Sequence, residues 1–315
     1  MNLANVGQSS WRDKTWVKEE LGPRDFAECG RAVAGIDTIK LYVAKPLTSF
    51  ELSKVWQVSG RRLLQISTSI PQFPFRFLIQ QPDCEVLPCF AGRKHVIGRM
   101  DMFVDLLADC KFGAKVSAEA VQKRLVLRGQ RAKAGRTAYY QGQDGRTYYW
   151  NEAAGRRNVR LYYDLPSKQT GGVCAHIEVV RNRARLCRAV GLSQIEDLLG
   201  DDLGEKLARF WALDVSLYEL RDPAAFNADV DGYIEMEGLK VGEVRQRLFG
   251  SQALMRWSSL SIQRIRDGLP RSLWERHLVR LSMDYLPEIE WPASLINTHT
   301  PHQRPFHLHQ RPQAA

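Results

Sequence analysis

The sequence predicts an α+β protein, with an antiparallel sheet first and a mainly helical region after it. From Gly35 to about residue 181, short runs of alternating apolar and polar residues are separated by Pro, Gly and Asn, which is typical of strands joined by turns. Ser193 and Glu196 then form an S-x-x-E capping box ahead of a region with helical spacing of its apolar residues. The chain has 315 residues, 44% of them hydrophobic, which suffices to bury a core without disulfides.

These patterns divide the chain into four segments. We expect a loose, polar leader over residues 1–32, a sheet domain over 33–200, a helical region over 201–290 and a disordered tail rich in Pro, His, Gln and Thr over 291–315. No apolar signal core opens the sequence and no run of about 18 apolar residues occurs, so we expect a cytoplasmic protein that does not bind membranes. The six cysteines include no CxxC pair, which favours reduced thiols over a zinc site.

The net charge indicates nucleic acid as the first partner to consider. The formal charge is +10 and arises mainly from arginine, whose guanidinium group matches phosphate oxygens. Residues 123–136 contain Lys and Arg side chains and no acid. Such a run is usually a solvated face, but Arg128, Arg131 and Lys133 are also candidates for tracking a DNA backbone.

Strand alternation selects Asp37 as an unusual acid. In GIDTIKLYV, alternation places Asp37 on the same face as Ile39 and Leu41. A carboxylate in an apolar row needs a cation or hydrogen-bond donors to offset its desolvation. Asp37 is therefore a candidate site residue, unless it lies at the frayed start of the strand.

Alternation also groups polar residues in two later strands. In NVRLYYD, Arg160 and Tyr162 share the polar face, whereas Tyr163 points the other way. In VCAHIEVV, His176 and Glu178 share one face and can form a common site, although a solvent-exposed strand face is the alternative.

A tyrosine nucleophile needs an activating environment, because the pKa of a phenol is about 10. Arginine and a divalent cation can provide it, and carboxylates hold Mg²⁺ (or Mn²⁺), which stabilises charge on the oxygens of a reacting phosphate. The predicted metal residues are Asp37, Glu178 and His176, together with Asp109 in the predicted strand LLADCKF.

The C-terminal region contains a helix-turn-helix-like pattern. SIQRIRDGLPRSLWERHLVRL predicts a helix, a turn at Gly268–Pro270 and a second helix, with Arg276 and Arg280 opposite the apolar stripe. Together with Arg271, these arginines are expected to contact DNA from a helix in the major groove. The His307-Leu308-His309 run in the tail lacks a scaffold and is not expected to form a specific metal site.

Taken in order, these segments resemble the gene II type (II/X family) rolling-circle replication initiators of filamentous bacteriophages. Ile36-Asp37-Thr38-Ile39-Lys40-Leu41 is similar to the first strand of that family, and Ala108-Asp109-Cys110-Lys111-Phe112 is similar to its acid-bearing strand. RRNVRLYYD resembles the tyrosine strand, His176-Ile177-Glu178 the next strand, and GLPRSLWERHL the C-terminal module.

This resemblance implies an origin-specific nicking and joining enzyme dependent on Mg²⁺ or Mn²⁺, with Tyr162 as the nucleophile and Arg160 as a phosphate clamp. Its implied partners are double-stranded origin DNA, the displaced single strand, and the replication helicase and polymerase of the host. The family usually has a lysine two positions after the tyrosine, but Asp164 stands here and the nearest lysine is Lys168. Tyr163 therefore remains an alternative nucleophile, and Asp164 an alternative metal ligand.

Two other functions fit parts of the sequence. A non-catalytic, sequence-specific DNA-binding repressor would use the same arginines and helix pair without any chemistry. An RNA-binding protein would use Tyr139, Tyr140, Tyr148 and Tyr149 as stacking platforms.

Overall fold

The computed structural model describes most of the chain between Cys29 and Leu295. The described residues are 29–59, 63–127, 137–141, 146–150, 157–249, 259–281, 286–292 and 295. Arg128, Arg131, Lys133 and the histidines of the predicted tail lie outside them.

A large sheet forms the centre of the described structure. Its strands are β1 (Cys29–Val43), β2 (Leu64–Ser67), β3 (Phe75–Gln80), β4 (His95–Ala108), β6 (Thr137–Gln141), β7 (Arg146–Trp150), β8 (Arg157–Tyr162), β9 (Cys174–Arg181) and β12 (Ile289–Glu290). The strand order is β2-β3-β1-β4-β9-β8-β7-β6, with β12 on β1. Every pairing is antiparallel except that of β12 with β1. The α+β class with an antiparallel sheet is thus confirmed.

Strands β4 and β9 occupy the middle of the sheet and have both faces covered. All eight residues of β9 are buried, including its polar ones. A solvent-exposed face for His176 and Glu178, the alternative left open by the sequence, is therefore wrong.

Helices cover one face of the sheet. They are α1 (Ser49–Ser59), α2 (Lys111–Arg124), α3 (Ala184–Arg188), α4 (Glu196–Leu199) and α5 (Leu203–Asp214). The main apolar cluster joins Val121 of α2 and Phe210 of α5 to Val104 and Ile177 of the central strands. In α5, the apolar residues Leu203, Leu207 and Phe210 recur at spacings of three and four, so they lie on one stripe that faces the sheet.

A smaller sheet has its own helices. The strands β5 (Leu125–Leu127), β10 (Val215–Leu220) and β11 (Leu278–Leu281) pair in the order β11-β10-β5. A second apolar cluster includes Phe226, Ile265 and Leu273, and it is built around the helices α6 (Pro223–Met236), α7 (Val241–Phe249), α8 (Ser259–Gly268) and α9 (Arg271–His277).

Three expectations about local structure need correction. The first strand starts at Cys29 rather than after residue 32, because Cys29 and Ala32 already pack in the core. The second helix of the helix-turn-helix-like pattern ends at His277, and Arg280 lies in β11, because Leu278–Leu281 pair with β10. The predicted disordered tail begins too early, because Trp291 packs against the core and Leu295 is buried.

None of the described helices has the length and apolar character needed to cross a membrane.

Candidate active site

Polar side chains form consecutive cross-strand rows on the face of the sheet opposite to helices α2 and α5. In the first row, Asp105, His176 and Tyr162 stand opposite one another on β4, β9 and β8. In the second row, Phe103, Glu178 and Arg160 do the same. Directly opposed residues of antiparallel strands share a face, so these two rows form one continuous patch.

A β-bulge brings Asp37 to the same patch. Ile36 pairs with Met102 and Thr38 with Asp101, so Asp37 is an extra residue in β1. The bulge interrupts the alternation, and the expected grouping of Asp37 with Ile39 and Leu41 is therefore wrong. Its carboxylate instead accepts a hydrogen bond from Thr38 Oγ1 at 3.1 Å.

The imidazole of His176 lies between two aromatic rings. Tyr162 stacks on it with ring centroids 4.5 Å apart and an interplanar angle of 25°. Phe103 stacks on it at 5.4 Å and 20°. The Phe103 ring reaches this place because Gly35, its partner on β1, has no side chain.

Asp105 fixes the orientation of His176. Its Oδ1 lies 2.5 Å from His176 Nδ1, and both side chains are almost completely buried. A carboxylate at this position favours the tautomer that carries the proton on Nδ1 and leaves Nε2 as an acceptor. Within the described structure, His176 Nε2 is buried and has no hydrogen-bond partner.

Two ion pairs complete the patch. Arg160 Nη1 donates to Glu178 Oε1 at 2.9 Å, across the β8–β9 pair. Lys168, from the loop after β8, pairs with Asp37. Lys168 is the nearest lysine after Tyr162. It lies four residues beyond Asp164, in a loop that brings its side chain to Asp37 on β1.

The environment of Tyr162 opposes ionisation of its phenol. Burial, followed by the nearby carboxylates of Glu178, Asp37 and Asp105, raises the pKa of Tyr162 well above its usual range. These carboxylates are offset by two cations, Arg160 and Lys168. Additional positive charge would therefore be needed to make the phenolate accessible near neutral pH.

The structure separates the two neighbouring tyrosines. Tyr162 lies among the polar residues, whereas Tyr163 packs against the main apolar cluster. This is the arrangement that alternation predicts.

Asp109 is not where the sequence analysis expected it. Strand β4 ends at Ala108, and Asp109 lies exposed in the bend before α2. Asp105, four residues or two strand repeats earlier, lies in the site instead. Its signal was the spacing of Asp101, Phe103 and Asp105, which puts two acids and a ring on one face of a strand.

The carboxylate and imidazole groups of this patch are of kinds that bind divalent metals, but the described side chains are not arranged as a metal site. Among the residues that the structure describes, no three His, Cys, Asp or Glu side chains stand together as metal ligands would. The carboxylates of Asp37 and Glu178 are each engaged by a cation. His176 nevertheless has the features of a histidine metal ligand. A carboxylate holds its Nδ1, and its buried Nε2 has no partner among the described residues.

The predicted DNA-contacting arginines of the C-terminal region lie at the surface. Arg271 pairs with Glu275, and Arg276 lies 3.4 Å from Asp229. Arg280 is exposed in β11. In the basic run before residue 128, Arg124 is fully buried beside Glu219, so it does not belong to a solvated face.

Known proteins were compared with this chain by sequence and by structure. No family model matches the sequence, and no curated protein matches it either. Among solved structures, the chain is similar to a rolling circle replication initiator protein from Geobacillus stearothermophilus, with 13% sequence identity over 60% of this chain and 87% of that chain, and a TM-score of 0.35.

Proposed function

We propose that this protein nicks and rejoins one strand of its origin DNA through Tyr162 and so starts rolling-circle replication. The observation that carries the proposal is the placement of Tyr162. It stacks on a histidine oriented by Asp105, within reach of the carboxylates of Asp37 and Glu178 and beside Arg160. A protein that only binds DNA has no need to bury such a cluster, since each buried charge costs solvation energy.

The chemistry starts from the phenol oxygen of Tyr162. This oxygen attacks the phosphorus atom, a new P–O bond forms to tyrosine, and the bond to the 3′ oxygen breaks. The phenol proton is released to water, and the departing 3′ oxygen takes up a proton from water. The phosphotyrosine ester conserves the energy of the broken phosphodiester, so rejoining needs no ATP.

Arg160 is suited to hold the phosphate. Its guanidinium group pairs with Glu178, and 28% of its side chain is exposed. When a phosphate arrives, the guanidinium can exchange one anionic partner for another without losing its charge-assisted hydrogen bonds.

The proposed cofactor is Mg²⁺ or Mn²⁺, held by Asp37, Glu178 and His176 after Lys168 or Arg160 releases its carboxylate. The imidazole nitrogen in this donor set favours Mn²⁺ more than an all-oxygen set does. When bound, the cation supplies positive charge to the phosphate oxygens and lowers the pKa of the attacking phenol. The predicted role of Asp109 as a ligand has no support from its exposed position.

The proposed partners follow from the reaction. They are the double-stranded origin, the displaced single strand, and two host enzymes in a bacterial cytoplasm. A helicase unwinds the duplex, and a polymerase extends the free 3′ hydroxyl. Arg271, Arg276 and Arg280 are proposed to contact the origin duplex.

The test compares Tyr162→Phe with Tyr163→Phe on supercoiled DNA that carries the region flanking the protein's own gene. With Mg²⁺ or Mn²⁺ present, we expect wild type to produce open circles and covalent protein–DNA adducts. Tyr162→Phe should bind this DNA and fail to nick it, because the substitution removes one oxygen and keeps the ring that stacks on His176.

Tyr163→Phe is the matched control, since Tyr163 packs against the apolar cluster. It should retain most of the nicking activity. Nicking by Tyr162→Phe at the wild-type rate would refute Tyr162 as the nucleophile. Binding of the flanking DNA by wild type in EDTA, with no nicking under any metal condition, would instead indicate a repressor.

A further inference from the structure

The face of the sheet that carries Tyr162 continues past the polar patch onto β1 and β3. Beyond the row of Thr38 and Asp101, Lys40 stands opposite Arg99 on β4. In the next row, Tyr42 stands opposite Arg76 on β3. We call Lys40, Tyr42, Arg76 and Arg99 the basic end of the sheet.

Of the three cations at this end, one is paired with an acid and two are not paired within the described structure. Arg99 forms a bidentate pair with Asp101. The side chains of Lys40 and Arg76 form no hydrogen bond or ion pair with any described residue. Burial, followed by the charges of Arg99 and Arg76, lowers the pKa of Lys40, while Asp101 opposes this effect. Like charges directly opposed across strands are destabilising, so a bound anion would relieve a repulsion that the fold otherwise tolerates.

The same rows are accessible and partly apolar. Leu78, which pairs with Lys40, is 41% exposed, and Leu64 beside it on β2 is 62% exposed. On the reverse face of β3, Phe77 and Ile79 are buried in the core. The outward face of the basic end therefore presents positive charge and apolar surface together.

Tyr42 adds an aromatic ring whose position depends on a glycine. A Cβ at Gly98 would lie 2.2 Å from Cε2 and 2.5 Å from Cδ2 of Tyr42, so one edge of the ring occupies the space that a side chain at residue 98 would fill. The ring can therefore take this place only because residue 98 has no side chain.

We propose that the basic end of the sheet binds single-stranded DNA, with Lys40 and Arg76 on backbone phosphates and with Tyr42 and Leu78 against bases. Cations combined with aromatic and apolar side chains are the usual means of binding single strands without sequence preference. An acidic peptide would use the cations and leave the apolar surface without a partner.

The location also favours a single strand. Three strand spacings across the sheet and six residues along β4 separate Lys40 from Tyr162, a distance of about 25 Å on one face. A strand held at Tyr162 could extend across this face to the basic end. That the bound strand is the one being nicked rests on the proposed function. That the basic end binds a single strand does not.

The experiment measures binding of a labelled oligothymidylate by fluorescence anisotropy in EDTA, over a range of salt concentrations. The variants are made in the Tyr162→Phe protein, so nicking cannot affect the result. Lys40→Gln with Arg76→Gln should weaken binding roughly tenfold or more. The slope of log affinity against log salt should fall by about 1.4, which is about 0.7 for each lost contact with a single strand.

Lys115→Gln with Lys240→Gln removes the same charge from exposed positions outside the sheet and serves as the control. Lys40→Arg with Arg76→Lys keeps both charges and should restore wild-type affinity, which separates loss of binding from loss of folding.

Equal affinities for the two glutamine pairs would overturn the proposal, as would an absence of oligothymidylate binding by the Tyr162→Phe protein. Displacement of the labelled oligonucleotide at a much lower concentration of polyglutamate than of unlabelled oligothymidylate would assign the surface to an acidic protein instead. Because none of these readouts involves nicking, failure here leaves the Tyr162 reaction untouched, and failure of that reaction leaves this result standing.

Discussion

Gly35→Ala tests whether the stacking of Phe103 on His176 depends on the absence of a side chain at residue 35. A Cβ at Gly35 would lie 2.7 Å from Cζ and 2.8 Å from Cε1 of Phe103, whereas ordinary contacts begin near 3.4 Å. The ring must therefore shift by about 0.7 Å. Phe103 is only 5% exposed and stacks on His176, so the shift propagates to the imidazole. Overpacking of this kind costs about 1–3 kcal/mol, partly offset by about 0.4–1 kcal/mol from the less flexible unfolded chain.

We expect a net loss of about 1–2 kcal/mol in the free energy of unfolding, measured by urea denaturation, together with reduced nicking. Gly30→Ala in the same strand is the control, because a Cβ there meets nothing within 4 Å. That variant should equal or slightly exceed the wild-type stability.

A double-mutant cycle makes the test specific. Phe103→Leu removes the ring atoms that a Cβ at Gly35 would meet. Gly35→Ala should thus cost at least about 1 kcal/mol less when Phe103 is already leucine. Additive effects, or a Gly35→Ala protein as stable as wild type, would show that the close approach of these two residues does not position the stack.

Two further predictions concern pH and the C-terminal segment. Burial, first among its causes, raises the pKa of Asp101 to about 6, so the folded protein holds this proton more tightly than the unfolded chain. The group favours folding below a pH of about 4, and that contribution is lost as the pH rises through about 6. Asp101→Asn should therefore flatten the fall in stability between these pH values, and denaturation curves with identical pH dependence in both proteins would contradict this assignment. Truncation after Leu295 should preserve more stability than truncation after Trp291, by roughly 2 kcal/mol, because the shorter chain loses a buried leucine; equal melting temperatures would show that Leu295 contributes nothing.

Local sequence patterns were sufficient for the faces of individual strands. Alternation alone separated Tyr162 from Tyr163 and grouped Cys174, His176 and Glu178, as the structure shows. The reason is that the two-residue period of a strand belongs to the backbone and holds wherever the strand is regular.

Alternation failed where the strand is irregular or where an element ends early. The bulge at Asp37 depends on how β1 pairs with β4, and nothing within GIDTIKLYV indicates it. The second C-terminal helix stops at His277 because the residues after it pair with β10, whose partner residues come 58 (Leu220) to 64 (Leu217) positions earlier in the chain. Helical spacing in the sequence could not compete with those strand hydrogen bonds.

By itself, the sequence determined the α+β class, the basic character of the chain and the polar face that carries Tyr162. Only the tertiary structure decided which charges meet there: Asp105 on His176, and Lys168 on Asp37. These partners are 71 and 131 residues apart in the chain. Their pairing follows from strand order and register, which arise when the central strands are buried together and every buried polar group must find its partner across the sheet.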